Sequence, residues 1–113
     1  MTDLSIDTGS GEIAIRDYGG QGRDVLMVHG TGHNLEVWNP QADRLKTACR
    51  LGAFDVRDHG LTKVDSTDAV QYWKDIDREI KELVINPVLL VGHSTGGFSV
   101  AAYTVLKERS FRL

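Results

Sequence analysis

The apolar positions of this chain change their period as the sequence is read. Leu4 and Ile6, then Ile13 and Ile15, alternate with polar residues on either side of Thr8-Gly9-Ser10-Gly11. A period of two puts Ile13 and Ile15 on one face, and the intervening turn residues predict a β-hairpin. The glycine-rich stretch from Tyr18 to Asp24 reads as a loop, and Val25-Leu26-Met27-Val28 follows it as an unbroken apolar run. Such a run marks a strand buried on both faces. Leu51 to Val56 reads as another strand, and Val88 to Val91 as a further doubly buried one.

Between these runs the period lengthens to three and four. Leu35 to Ala48 predicts a helix with a dent at Pro40, with Trp38, Ala42, Leu45 and Ala48 sharing a face. Asp68 to Val84 is the clearest helix. Ala69, Trp73, Ile76, Ile80, Leu83 and Val84 form its apolar stripe, with the charged residues opposite. Ser66 or Thr67 can cap it and Asn86-Pro87 stops it. A last helix runs from Gly96 to about Glu108, with Phe98, Ala101, Ala102, Val105 and Leu106 available for packing. A hairpin followed by β-α-β-α-β-α predicts an α/β fold: a mostly parallel sheet of about five strands with helices on both faces.

Composition narrows the function. The 113 residues make one domain at most, and 41% hydrophobic with 26% charged residues is globular rather than disordered. A net charge of −3 with both signs interspersed lacks the basic footprint of a nucleic-acid binder. Cys49 is the single cysteine, so no internal disulfide forms and a reducing compartment fits. Met1 to Asp7 lacks the charged-then-apolar order of a secretory signal, and no apolar run approaches bilayer length. The expectation is a cytoplasmic protein with neither nucleic-acid nor membrane partners, acting on a small molecule.

The chemistry concentrates where strands end. Gly92-His93-Ser94-Thr95-Gly96 fits G-x-S-x-G, in which a sharp strand-to-helix turn lifts a serine hydroxyl above the sheet. Glycines two residues to either side give the turn room that side chains would fill. The strand before and the helix after supply the required context and separate this serine from an ordinary turn residue. After the first buried strand, His29-Gly30-Thr31-Gly32 is small and glycine-rich, as backbone donors to an oxyanion require. One such N–H would come from Thr95, after the nucleophile, and the other from Thr31 or its neighbour.

Together these motifs resemble the N-terminal part of an α/β-hydrolase. His29-Gly30-Thr31-Gly32 is similar to the family's HG-x-G loop, and Gly92 to Gly97 to its G-H-S-x-G-G elbow. Asp55-Val56-Arg57-Asp58-His59-Gly60 resembles its D-x-R-G-H-G turn, with Asp58 where the family has glycine. The resemblance covers residues 1–113 as the N-terminal portion of such a domain. It implies Ser94 as nucleophile on an ester or related carbonyl substrate through an acyl-enzyme, Thr31 and Thr95 as oxyanion donors, and no cofactor. Gly30, Gly32 and His93 would border the substrate, and in the family's geometry Trp38 can line its pocket, although core packing is the stronger reading of that residue.

The family's triad runs serine, acid, histidine along the chain, yet only Glu108 and no histidine follows Ser94. Acid and base are therefore expected outside these residues. His59 would lie two strands from Ser94, about 10 Å at ~4.8 Å per strand, beyond the ~3 Å reach of a general base. His93 points to the opposite side of the chain from Ser94, and His29 supports its loop. Asp55, Arg57 and Asp58 read as structural. His29 and His33 are four apart, but in a glycine loop, so no metal is expected. The elbow strand would form an apolar sheet edge, open to self-association or a partner.

Two other readings remain. A non-catalytic relic or partner-completed fragment would keep the fold without the reaction. A dinucleotide binder would use Gly30 and Gly32 with Asp55 on the ribose, although Leu35 occupies its third glycine position.

Overall fold

The computed structural model describes residues 1–9, 11–57, 59, 60, 62–64, 69–83 and 89–112. The predicted hairpin is β1 (Thr2–Asp7) paired antiparallel with β2 (Gly11–Gly20). Its turn is tied by Asp7, whose carboxylate accepts from the Gly9 N–H at 2.8 Å, and by Thr8, whose N–H and hydroxyl both donate to the Gly11 carbonyl. The remaining strands are β3 (Arg23–Val28), β4 (Cys49–Phe54), the two-residue β5 (Lys63–Val64) and β6 (Leu89–Gly92).

The sheet order is β1-β2-β4-β3-β6, with β5 paired to the start of β2. β4, β3 and β6 are mutually parallel, and β2 is antiparallel to each of its neighbours. Only β2 therefore runs against the rest, and the sheet is mixed through that strand. Most of the stretch expected as a loop belongs to strands. β2 continues through Gly20 by way of a bulge between Asp17 and Gly19, and β3 begins at Arg23. Gly20 is required there: its φ is +101°, and a Cβ would stand 2.1 Å from the Cys49 carbonyl oxygen.

Side chains along β3 alternate between two cores, one on each face of the sheet. Leu26 and Val28 join Ile13, Ile15, Phe54, Ile76 and Tyr103; Val25 and Met27 join Leu35, Ala42, Leu51 and Ala53. Helices α2 (Ala69–Glu82) and α3 (Thr95–Arg112) cover the first face. A 3-10 helix (Leu35–Trp38) and α1 (Asn39–Leu45) cover the second.

The helices depart from expectation in instructive ways. The segment expected as one helix divides near Pro40, which falls in the first turn of α1, where a missing N–H removes no helical bond. Leu35 and Ala42 face the core, while Leu45 and Ala48 are exposed. The apolar stripe is buried as expected at Ile76 on α2 and at Leu83 just past its end, but Asp75 and Glu79 are buried beside it rather than opposite. On α3 the inward residues are Ser99 and Tyr103, whereas Phe98 is 80% and Val105 52% exposed and Ala101 faces solvent. The cause is position: α3 packs on α2, β3 and the last strand of the sheet order, Phe98 stands on a cleft beside Thr31 and Thr95, and the side carrying Ala101 and Val105 is left open among the described residues.

For the same reason β6 is not doubly buried, and Leu89 is 53% exposed. The expected features at Asp58, Ser66, Thr67, Asp68, Val84, Asn86, Pro87 and Val88 lie outside the described residues.

Candidate active site

Parallel register sets Val28 beside Phe54 on one side and Gly92 on the other. The three strands thus end together, and the turns that follow share one edge of the sheet. Ligands gather at such carboxyl ends. At the elbow, Ser94 has φ 57° and is the only non-glycine residue with positive φ among the described residues. A serine held in the left-handed region signals that the surrounding structure imposes the turn.

Close packing shows what imposes it. A Cβ on Gly96 would come within 2.2 Å of the Val28 carbonyl oxygen, and one on Gly92 within 2.5 Å of the Gly96 carbonyl oxygen. From the neighbouring loop, a Cβ on Gly30 would stand 3.0 Å from the Ser94 Cβ. The His93 N–H donates to the Val28 carbonyl at 3.0 Å, anchoring the elbow to β3. Gly96 N–H to His93 O and Phe98 N–H to Ser94 O then start the helix.

Thr31 and Thr95, 64 residues apart, meet across the two turns through their hydroxyls, with Oγ1 atoms 2.9 Å from each other. Thr95 is the first residue of α3, so its backbone N–H has no acceptor within the helix and lies at the positive end of the helix dipole. Gly32 has φ +85°, a glycine conformation that lets the loop turn back, closed by His33 N–H donating to Gly30 O at 3.2 Å.

His29 holds the loop from below. Its Nδ1–H donates to the Gly30 carbonyl at 2.7 Å, and its Nε2 accepts from the Val56 N–H at 2.9 Å. Both nitrogens are committed in the neutral tautomer, and burial lowers its pKa, so protonation is opposed. It is therefore no base for Ser94. His33 stands instead against His93, edge to face at 5.9 Å. His59 packs edge-on to His29 at 5.2 Å and turns its Nδ1 to the Arg57 carbonyl.

Asp55 and Arg57 are structural in this arrangement. The buried Asp55 carboxylate accepts from the Leu35 N–H at 2.7 Å, and its carbonyl accepts from the Thr62 hydroxyl. A carboxylate so enclosed does not face a ribose, and the dinucleotide reading loses its acidic contact. Arg57 forms a two-point ion pair with Asp75, Nε to Oδ2 at 2.5 Å and a terminal nitrogen to Oδ1 at 3.1 Å, tying α2 to the loop after β4.

The structure brings together Ser94, Thr95, Thr31, Gly30, Gly32 and His93. Trp38 is elsewhere: it packs beside Ala42 and Leu35 in the core on the opposite face, not along the cleft of about 420 Å³ that Thr31 and Thr95 border. The residues that sequence reasoning missed are on that cleft. Phe98, Ala102 and Leu106 read as packing positions, and Thr31 and Thr95, expected together through their backbone N–H groups, also meet through their hydroxyls.

A strained serine between two clearing glycines, at a strand end beside a glycine loop, defines a class. Residues 25–111 match the alpha/beta hydrolase family, and the chain belongs to it. Among relatives, it is 32% identical over 114 residues to protein phosphatase methylesterase 1 of Rattus norvegicus, covering 92% of this chain and 29% of that protein. It is 37% identical over 95 residues to the non-heme chloroperoxidase CPO-A1 of Kitasatospora aureofaciens, covering 81% and 34%. In structure it is similar to a thioesterase domain from the curacin biosynthetic pathway, with TM-score 0.86, 28% identity, and coverage of 96% of this chain and 40% of that one. The chain thus spans about a third of the length of these curated relatives.

Proposed function

We propose that this chain carries the nucleophile and oxyanion donors of a serine hydrolase that cleaves an ester or related carbonyl substrate through an acyl-enzyme. The observation that carries the reading is Ser94 at φ 57°, with Gly30 packed against it and the Thr31 and Thr95 hydroxyls joined beside it. Ser94 Oγ attacks the carbonyl carbon, the Thr95 and Thr31 backbone N–H groups hold the oxyanion, and the leaving group departs as the acyl–serine ester forms. Water then releases the acid. The names methylesterase and thioesterase among the similar proteins support carbonyl chemistry, and the strand-end position of the elbow supports it independently.

We place neither the acid nor the proton-carrying base on a described residue. His29 is committed through both ring nitrogens, to Gly30 and Val56, whereas His59 uses only Nδ1, on the Arg57 carbonyl. The test is hydrolysis of an activated ester by the 113-residue chain and by the protein as its own cells produce it. We expect negligible turnover by the chain alone, and turnover by the cellular protein that Ser94→Ala abolishes. Hydrolysis that survives Ser94→Ala would overturn the proposal.

A further inference from the structure

The cleft beside Thr31 and Thr95 has a definite shape and chemistry. Its volume, about 420 Å³, is that of a small-molecule site. It opens at the two threonines and runs between α2 and α3. Phe98, Ala102 and Leu106 recur every four residues along α3 and form one side. At ~1.5 Å per residue that stripe is about 12 Å long. Val56 and Trp73 complete the apolar lining.

Most of the polar groups on the lining are already spent. The Thr31 and Thr95 hydroxyls bond each other. The Ser99 hydroxyl donates to the Thr95 carbonyl at 3.0 Å, and the His59 Nδ1–H to the Arg57 carbonyl at 2.8 Å. A ligand lying here meets mostly apolar surface, with the Thr31 and Thr95 backbone donors at the elbow end and the Tyr72 hydroxyl and Trp73 indole N–H on the α2 side. Phe98, a large ring left 80% exposed on that wall, gains from being covered.

We propose that this groove is the acyl-binding site, and that it selects an extended apolar acyl chain of medium length whose carbonyl end lies at Thr31 and Thr95. The substrate class is then medium-chain acyl esters or thioesters rather than acetyl esters. The orientation rests on the nucleophile reading above; the binding itself does not.

The test uses the product of such a reaction. The chain has two tryptophans, and Trp38→Phe leaves Trp73, on the groove, as the sole reporter. Acetate, butanoate, hexanoate and octanoate are titrated while Trp73 emission is followed. We expect no saturation with acetate, saturation with octanoate, and affinity rising about fourfold per added methylene, as ~0.8 kcal/mol per buried CH2 implies. Phe98→Ser, a change at an exposed position, should weaken octanoate at least tenfold without shifting the melting temperature. Octanoate that fails to saturate, or affinity indifferent to chain length or to Phe98, overturns the groove as acyl site. Ser94→Ala should keep octanoate binding. If octanoate binds as expected but a serine-directed phosphonate never labels Ser94, the nucleophile reading falls and the groove stands. Labelling of Ser94 without octanoate binding removes the groove and keeps the nucleophile.

Discussion

Ser94 was legible as a candidate from three sequence positions, but its defining property, a positive φ, exists only because neighbouring backbone fills the space around the turn. Gly96→Ala tests that origin. The added methyl would meet the Val28 carbonyl oxygen, and overpacking of this kind costs ~1–3 kcal/mol. Urea denaturation should show the loss; an unchanged midpoint would contradict the packing argument. Glu79 makes the opposite point, since nothing in its sequence setting announced burial. Its carboxyl is enclosed, and among the described residues neither oxygen has a hydrogen-bond partner. Burial pushes its pKa well above the usual carboxylate range; Asp75 and Glu82 push the same way and Arg78 opposes them.

The folded state therefore holds the Glu79 proton after the unfolded chain has released it. Stability should fall as pH rises from the unfolded value, about 4.3, toward the raised folded value, and level off above it. Glu79→Gln should remove this part of the slope, so its stability relative to the wild type rises with pH. Melting curves across pH check both; a variant that keeps the wild-type slope would show that Glu79 is ionised in the fold.

At the scale of elements, the strands were located well because an unbroken apolar run marks a strand, although its burial depends on its neighbours, as Leu89 of β6 shows. β3 is the best case, its residues dividing between two cores. Helices were read less well because a period gives a face but not what that face meets. On α2 the ion pair of Arg57 with Asp75 draws charge inward, and on α3 the outward stripe is apolar because it borders the groove and the sheet edge. Asp75→Ala should be strongly destabilising, by ~3–5 kcal/mol, because it removes the carboxylate that neutralises a buried guanidinium. Asp75→Ala together with Arg57→Leu should recover part of that loss. A double variant no more stable than Asp75→Ala alone would mean that the pair is not the link between α2 and the loop after β4.

For the whole molecule, the sequence carried the order of elements and the resemblance that the family match bears out. The family motifs brought Thr31 and Thr95 to one site, but their hydroxyl contact and the groove between two helices were not legible, because both depend on how distant segments pack. The order also leaves β6 at an edge with Leu89 exposed, and an apolar edge invites pairing. We expect concentration-dependent association of the chain in sedimentation velocity, reduced by Leu89→Lys; a concentration-independent monomer would count against the edge as an interface.

The chemistry proposed for this fold turns on Ser94 as a nucleophile facing an oxyanion site. The direct measurement is mass spectrometry of the chain after incubation with a fluorophosphonate, followed by peptide mapping. One adduct, slow to form in the absence of the base and located on Ser94, is the predicted result, with none in Ser94→Ala. An adduct on another residue, or none after prolonged incubation of the folded protein, would contradict it.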